Sequence, residues 1–345
     1  MQILSGIEAK STSPTTPDSG LRVMVTGALG FVGMHVLDAL GSSFGTRAEI
    51  AATALTGSQH PVLGTVRPLD VTDATAVAAC IAAWQPTHVV HLAGIAAVTS
   101  AINSPELAWK VHLDGTINLA RAILRSCPSC WFLNAGSGLV YGTSARSGLP
   151  LDEDALLGPL DEYAASKAAA DLALGALAER GLNCVRLRPF NHIGPGQSEA
   201  FVVPSFAMQI AKIETGLADP VLRVGNLEAQ RDFLDVRDVA KAYVEVIRAT
   251  ARLPSGIVLN IASGIPRRIA DVLQLLLAHC PLAIAIEQDT GRLRSSDLPM
   301  IMGDSSRARD IIGWNPTYKF EDTLKAILDD CRGRVSRLDF EKKSI

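Results

Sequence analysis

From Leu21 onward the chain alternates short apolar runs with longer stretches whose apolar positions recur at helical spacing. Leu21–Val25 is apolar and ends close to a glycine, and Phe31–Leu40 then carries its apolar side chains at helix intervals. The same pattern predicts strands near Ile50–Ala54, Val66–Leu69, His88–Leu92, one reaching Ala135, and Cys184–Leu187. It predicts helices over Ala74–Trp84, from Ser104-Pro105 to about Arg125, and behind Pro159 from about Asp161 to Glu179. Several of these strands are apolar throughout, as expected of strands buried on both faces of a parallel sheet. The expected class is therefore α/β, with a doubly wound parallel sheet covered by helices on both sides.

After Pro189 the texture changes. Segments shorten, and Gly or Pro recurs at Gly194-Pro195-Gly196, Pro204, Pro220, Pro254, Pro266 and Pro299. Helices are still predicted over Phe206–Thr215, Val236–Arg248, Ile269–Ala278 and Phe320–Asp330. The organisation expected is a flexible Ser/Thr/Pro-rich leader over 1–20, a nucleotide-holding domain over 21–190, a smaller interwoven lobe mainly over 191–332, and a solvated tail over 333–345. Parts of the C-terminal half are expected to return to the first domain.

Composition and charge narrow the partners. Lys plus Arg (32) nearly balance Asp plus Glu (35), so nothing invites nucleic acid, and any phosphate must meet a local site. No apolar run approaches the ~20 residues that span a bilayer, so no membrane partner is expected. Six scattered cysteines without a signal sequence suit a reducing, cytoplasmic setting. Cys127 and Cys130 have metal or redox spacing, but they end a helix with no second pair to complete a zinc site. They read as a turn with two incidental thiols, and no metal is expected.

The first strand–helix junction reads Thr26-Gly27-Ala28-Leu29-Gly30-Phe31-Val32-Gly33. A diphosphate there needs free N–H groups at a helix start, and Gly27, Gly30 and Gly33 give a tight turn and close backbone approach. Leu29, Phe31 and Val32 complete the turn. The Gly-x-x-Gly-x-x-Gly spacing resembles the extended, nucleotide-sugar-modifying branch of the short-chain dehydrogenase/reductases, which implies a Rossmann-type fold and a nicotinamide cofactor. Cofactor contacts are then expected at Thr53, Asp70, Val71 and the stretch Leu92-Ala93-Gly94. The second strand ends Ala52-Thr53-Ala54-Leu55, without a carboxylate for the adenosine ribose and without an arginine for a 2′-phosphate. The missing carboxylate tilts the choice between NADP and NAD slightly towards NADP.

Tyr163-Ala164-Ala165-Ser166-Lys167 brings a phenol and an ammonium to one helix face. A free tyrosine has a pKa of about 10, and a nearby lysine charge is expected to lower it for proton transfer at a carbonyl oxygen. Upstream lies Gly136-Ser137-Gly138-Leu139-Val140-Tyr141-Gly142. In the extended family that strip carries the hydroxyl that holds the reacting oxygen, here Ser137. The related sugar 4,6-dehydratases carry glutamate two residues later, where this chain has Leu139, which can neither give nor take a proton. Carbonyl reduction or 4-epimerisation is therefore expected over dehydration. Relatives often carry Asn where this chain has His112, which reads either as a polar contact near the site or as a packed histidine.

Three further segments point to the substrate. They are Arg186–Gln197, with its core Arg-Pro-Phe-Asn-His-Ile-Gly-Pro-Gly-Gln, then Val224–Phe233, and Arg292–Asp297. Arginine forks suit a diphosphate and a carboxylate can accept from ribose hydroxyls. From about Leu21 to Arg332 the chain resembles the GDP-4-keto-6-deoxy-D-mannose reductases, which make GDP-D-rhamnose. That resemblance implies GDP contacts from Asn191, Arg231, Arg294 and Asp297, with Phe190 lining the reaction chamber. It also implies a homodimer paired through an Ala-rich helix such as the one carrying Tyr163. Leu139-Val140 stands where those reductases often have acidic residues, so a different sugar pocket is expected there. The alternatives are an NAD-retaining nucleotide-sugar 4-epimerase and a non-catalytic dinucleotide sensor.

Overall fold

A computed structural model describes residues 20–60, 64–292 and 298–343. The leader over 1–19 lies outside the described residues. The first strand, β1 (Leu21–Thr26), is followed by β2 (Ala48–Ala54), β3 (Ser58–His60), β4 (Gly64–Pro68), β5 (His88–His91), β6 (Trp131–Ala135) and β7 (Cys184–Pro189). The chain then leaves for β8 (Asn191–Ile193), β9 (Val221–Val224) and β10 (Gln230–Asp235), and comes back with β11 (Ile257–Ile261). β12 (Pro266–Arg268), β13 (Ala285–Gln288) and β14 (Met300–Ile301) complete the strands.

The main sheet runs β11-β7-β6-β5-β1-β2-β4-β3 and is parallel except for the β3–β4 edge pairing. Strand order reverses between β1 and β5, so the crevice at their carboxyl ends is the natural ligand position of such a sheet. Val23 and Val25 face one side of the sheet and Met24 the other, as strand alternation requires. On the first side α1 (Phe31–Phe44) packs on a helix described below, over a core with Leu133, Val185 and Leu259. On the second side α2 (Ala74–Trp84) packs on a long helical segment, over Phe132, Leu119 and Leu174. Burying both faces with aliphatic side chains is the main source of this domain's stability.

The long helix predicted from Pro105 to Arg125 is present but not uniform. After the short α3 (Val98–Asn103) come α4 (Pro105–Trp109), a π-helical turn over Lys110–Asp114, and α5 (Gly115–Ser126). α6 (Glu162–Ala178) starts at Asp161, whose carboxylate accepts from the Ala164 N–H at 2.8 Å. In the second lobe α7 (Val202–Glu214), α8 (Val236–Ala249), α9 (Ile269–Leu277), α10 (Ser306–Ile312) and α11 (Phe320–Lys343) follow. α8 is the partner of α1 on the main sheet, whereas α7, α9 and α11 share a separate core with Phe206, Phe233, Leu273 and Leu324.

One expectation needs correction, and one strand went unpredicted. The last helix runs on to Lys343, past the predicted end near Asp330, so 333–343 is helical where a tail is expected. The apolar run at Ile257–Ile261 is also a strand, paired with β7 in the main sheet. Cys127 and Cys130 are buried free thiols in a turn closed by the Cys130 N–H on the Cys127 carbonyl at 2.9 Å.

Candidate active site

The glycine turn sits between β1 and α1, at the reversal of strand order. Gly27 adopts φ +69, and a side chain there would come within 2.7 Å of the Ala93 amide nitrogen, so the turn lies directly against the segment leaving β5. A side chain at Gly33 would meet the Ala28 carbonyl oxygen at 2.6 Å. The Ala28 N–H donates to the Thr53 carbonyl at 2.9 Å, which fastens the turn to the end of β2. No side chain caps the first turn of α1 and no acidic residue lies in it, so its N–H groups have no side-chain acceptor of their own, as a diphosphate site requires.

The remaining cofactor candidates differ in what they offer. Thr53 is buried with its hydroxyl on the Val25 carbonyl at 3.3 Å, so its side chain is turned inward. Asp70 is exposed. Its carboxylate accepts from the Thr72 hydroxyl and amide, which hold it below the usual carboxylate range. Val71 is buried against Gly115, and its carbonyl accepts from Asn118. Leu92 and Ala93 are half-buried and Gly94 is exposed at the mouth of the crevice.

Ser137 follows β6, and its hydroxyl accepts the Leu139 N–H at 3.1 Å. It also lies close enough to the Tyr163 phenol to lower its pKa, so the strip after β6 and the helix α6 approach each other at these two hydroxyls. Lys167, one helical turn beyond Tyr163, donates to the Ala135 carbonyl at 2.9 Å. All three predicted catalytic side chains therefore converge at the carboxyl edge of β5 and β6. Their electrostatics depart from expectation. Burial pushes Tyr163 up to about 12, with Ser137 pulling it back and Asp161 adding to the rise. Burial also pulls Lys167 down to about 8. The phenol is thus held protonated, the state of a proton donor, because desolvation outweighs the pull of the Ser137 hydroxyl.

His112 lies in the π-helical turn, 1% exposed, with Nε2 3.0 Å from the Ile95 amide nitrogen and Nδ1 2.8 Å from the Ser166 hydroxyl. Its ring stands edge-on to Tyr163 at 5.4 Å and 90°. Both sequence readings of this residue hold at once, since it is packed and makes polar contacts beside the site.

Phe190, at the end of β7, is buried directly beneath Gly138, where any side chain would meet its ring at 2.9 Å. It stacks on Tyr141 at 6.2 Å. Asn191 follows, half-buried at the start of β8, and Arg231 on the neighbouring β10 donates to the Gln230 and Leu298 carbonyls. Arg294 and Asp297 lie outside the described residues.

One cluster behind the triad was not expected from sequence. Arg188 on β7 makes a bidentate pair with Asp171 of α6, at 2.9 and 3.0 Å, and donates to the Tyr141 hydroxyl at 2.9 Å. Tyr141 donates in turn to Asn260 of β11 at 2.7 Å. The signal available was Asp171 itself, a lone acid one turn past Lys167 in a helix otherwise rich in alanine.

A glycine turn at the switch point of a doubly wound sheet, with a Ser–Tyr–Lys triad on the adjoining strand and helix, defines the class of extended short-chain dehydrogenase/reductases. A family model described as GDP-mannose 4,6 dehydratase matches residues 24–327, and the chain belongs to that family. It is 35% identical over 320 residues to the GDP-6-deoxy-D-mannose reductase of Pseudomonas aeruginosa, covering 91% of this chain and 98% of that protein. The solved structure of RMD from Pseudomonas aeruginosa with NADPH superposes with a TM-score of 0.78 at 33% identity, covering 91% of this chain and 99% of that one. The Thermus thermophilus UDP-glucose 4-epimerase complex with NAD gives 0.78 at 27% identity, covering 91% and 99%.

Proposed function

We propose that this enzyme reduces the C4 keto group of a nucleotide-bound 4-keto-6-deoxy sugar, GDP-4-keto-6-deoxy-D-mannose, to GDP-D-rhamnose at the expense of NADPH or NADH. The observation that carries the reading is a complete triad whose phenol is held protonated beside Leu139. A sugar dehydration needs an additional acid or base there, and leucine supplies neither. The nicotinamide, when bound, supplies the hydride. Tyr163 gives its proton to the C4 oxygen, Ser137 holds that oxygen by hydrogen bond, and Lys167 fixes the cofactor ribose and supports the tyrosine electrostatically. Gly27, Leu29, Gly30, Phe31, Val32 and Gly33 form the diphosphate cradle, with Asp70, Val71 and Leu92–Gly94 beside the rest of the cofactor. In this reading Asn191 and Arg231 receive the nucleotide, with Phe190 beneath the sugar, and a homodimer pairs through α6, whose Leu172 stands 61% exposed.

The test is incubation with GDP-4-keto-6-deoxy-mannose and NADPH or NADH, followed at the nicotinamide band. Stoichiometric oxidation, abolished by Tyr163→Phe, is expected. A protein that retains NAD and interconverts C4 epimers without net consumption would replace this reading with the epimerase. No turnover with either cofactor would remove it.

A further inference from the structure

His112 occupies the one π-helical turn among the described residues, and such turns commonly mark positions where a helix has been adjusted around a functional site. Three polar groups lie at hydrogen-bond distance from its ring, the Ser166 hydroxyl and the Ile95 N–H and carbonyl, and what each can donate or accept fixes its tautomer. The Ser166 hydroxyl donates its single proton to the Tyr163 carbonyl at 2.9 Å, so towards His112 it can only accept. Nδ1, 2.8 Å away, must then carry the ring proton. Nε2 is left bare and accepts the Ile95 N–H at 3.0 Å. The reverse tautomer would turn Nε2 towards the Ile95 carbonyl at 3.2 Å and leave the Ile95 N–H without its acceptor. Each tautomer makes two bonds at the ring, but the first also keeps the Ser166 hydroxyl on the Tyr163 carbonyl, three bonds against two. The groups facing the ring are Lys167, His91 and the edge-on Tyr163. Burial, reinforced by the lysine charge, keeps the imidazole neutral, down to about 3.

The ring also fills a narrow space. A side chain at Gly94 would lie 3.3 Å from the His112 ring and 3.4 Å from the Lys167 ammonium, so loop, histidine and lysine meet at one point. Thr116 fastens the turn from behind, donating to the His112 carbonyl at 2.6 Å. We infer that His112, locked in the Nδ1–H tautomer, is a positioning residue that clamps the Gly94–Ile95 wall of the cofactor crevice to the Tyr163–Lys167 helix and takes no part in proton traffic. This rests on the reductase reading for its kinetic arm alone, since the tautomer and the clamp are properties of the free protein.

The test has two arms. Histidine-¹⁵N protein is examined by long-range ¹H–¹⁵N correlation, with His112→Gln identifying the signal. A protonated Nδ1 and bare Nε2, unchanged between about pH 5.5 and 8, is expected. An Nε2–H tautomer, or titration within that window, would overturn the inference whether or not the sugar is turned over. In the second arm His112→Ala is expected to weaken NADPH binding, read by cofactor fluorescence, and to lower kcat about tenfold or more. The KM for the keto sugar and the pH position of the rate profile should stay in place, and His112→Asn should restore part of the loss. Cofactor affinity and kcat both unchanged in His112→Ala, or a rate profile displaced along pH, would sink the clamp.

Discussion

The ammonium of Lys167 is held against its own preference, and removing it should stabilise the folded protein while destroying activity. Burial lowers this lysine from 10.5 to about 8. Each tenfold change in proton affinity is about 1.4 kcal/mol, so keeping the charge in the native state costs about 3 kcal/mol at neutral pH. In Lys167→Met the stem is kept and the charge is lost. The Ala135 carbonyl then loses its donor, which returns about 1 kcal/mol of the gain. The net expectation is about 2 kcal/mol of added stability at pH 7, a rise of about 3 °C in Tm for a chain of this length.

The sign follows from where the proton sits. Below about 8 the native and unfolded states are both charged, so the wild-type penalty is fully present. Between about 8 and 10.5 the unfolded lysine keeps a proton that the native one has released, and wild-type stability rises with pH across that window. The advantage of Lys167→Met should therefore be largest at pH 7 and mostly gone by pH 10. Paired urea titrations of the two proteins at both values measure this difference, and groups common to both proteins cancel to first order. Equal stability at pH 7, or a gap of the same size at pH 10, would refute the argument that the site stores this charge at a cost.

In the reductive direction the rate should fall as pH rises through about 8, because the Lys167 ammonium is discharged there while Tyr163 stays protonated to about 12; initial-rate profiles read this directly. Tyr163→Phe should lower kcat by about 10²–10⁴-fold with cofactor affinity unchanged, measured by turnover and by cofactor fluorescence. Gly33→Ala forces a methyl to within 2.6 Å of the Ala28 carbonyl, so cofactor binding should be lost and stability should drop by about 1–3 kcal/mol in urea titrations. Arg188→Met should cost about 3 kcal/mol, at the low end for a broken buried pair, since Arg186 still reaches Asp171 at 3.0 Å; adding Asp171→Leu should recover much of the loss.

The parallel sheet was legible because its central strands are largely apolar segments between glycine or proline signals, and because the glycine turn marks where the sheet begins. The triad was legible for a similar reason. Tyr163 and Lys167 are spaced by one helical turn, and Ser137 follows a strand. What local pattern could not show was protonation. The charge of Lys167 suggested a lowered phenol, whereas Tyr163 is 9% exposed and burial carries it the other way. The π-helical turn at His112 was hidden for another reason. Its apolar spacing differs from that of an ordinary helix by one residue, and only the contacts to Ile95 and Ser166 show why that residue is there.

The triad's geometry also depends on a strand nearly a hundred residues downstream of its tyrosine. β11 comes back from the second lobe to pair with β7, and its Asn260 accepts from Tyr141 while its amide donates to Glu153 at 2.7 Å. Tyr141 belongs to the same strip as Ser137, and Arg188 ties it to Asp171, which lies on the helix of Tyr163 and Lys167. Strip and helix are thus held to each other through one buried network that includes the returning strand. A buried ion pair contributes little net stability against an apolar substitute of the same volume. What such a pair does supply is direction, because its bidentate geometry tolerates little rotation of either element. The network is then best understood as what keeps the Ser137 and Tyr163 hydroxyls in register. Exchanging Arg188 and Asp171 together for apolar residues should accordingly leave stability nearly intact while turnover falls, a separation that a purely structural role for the pair would not produce.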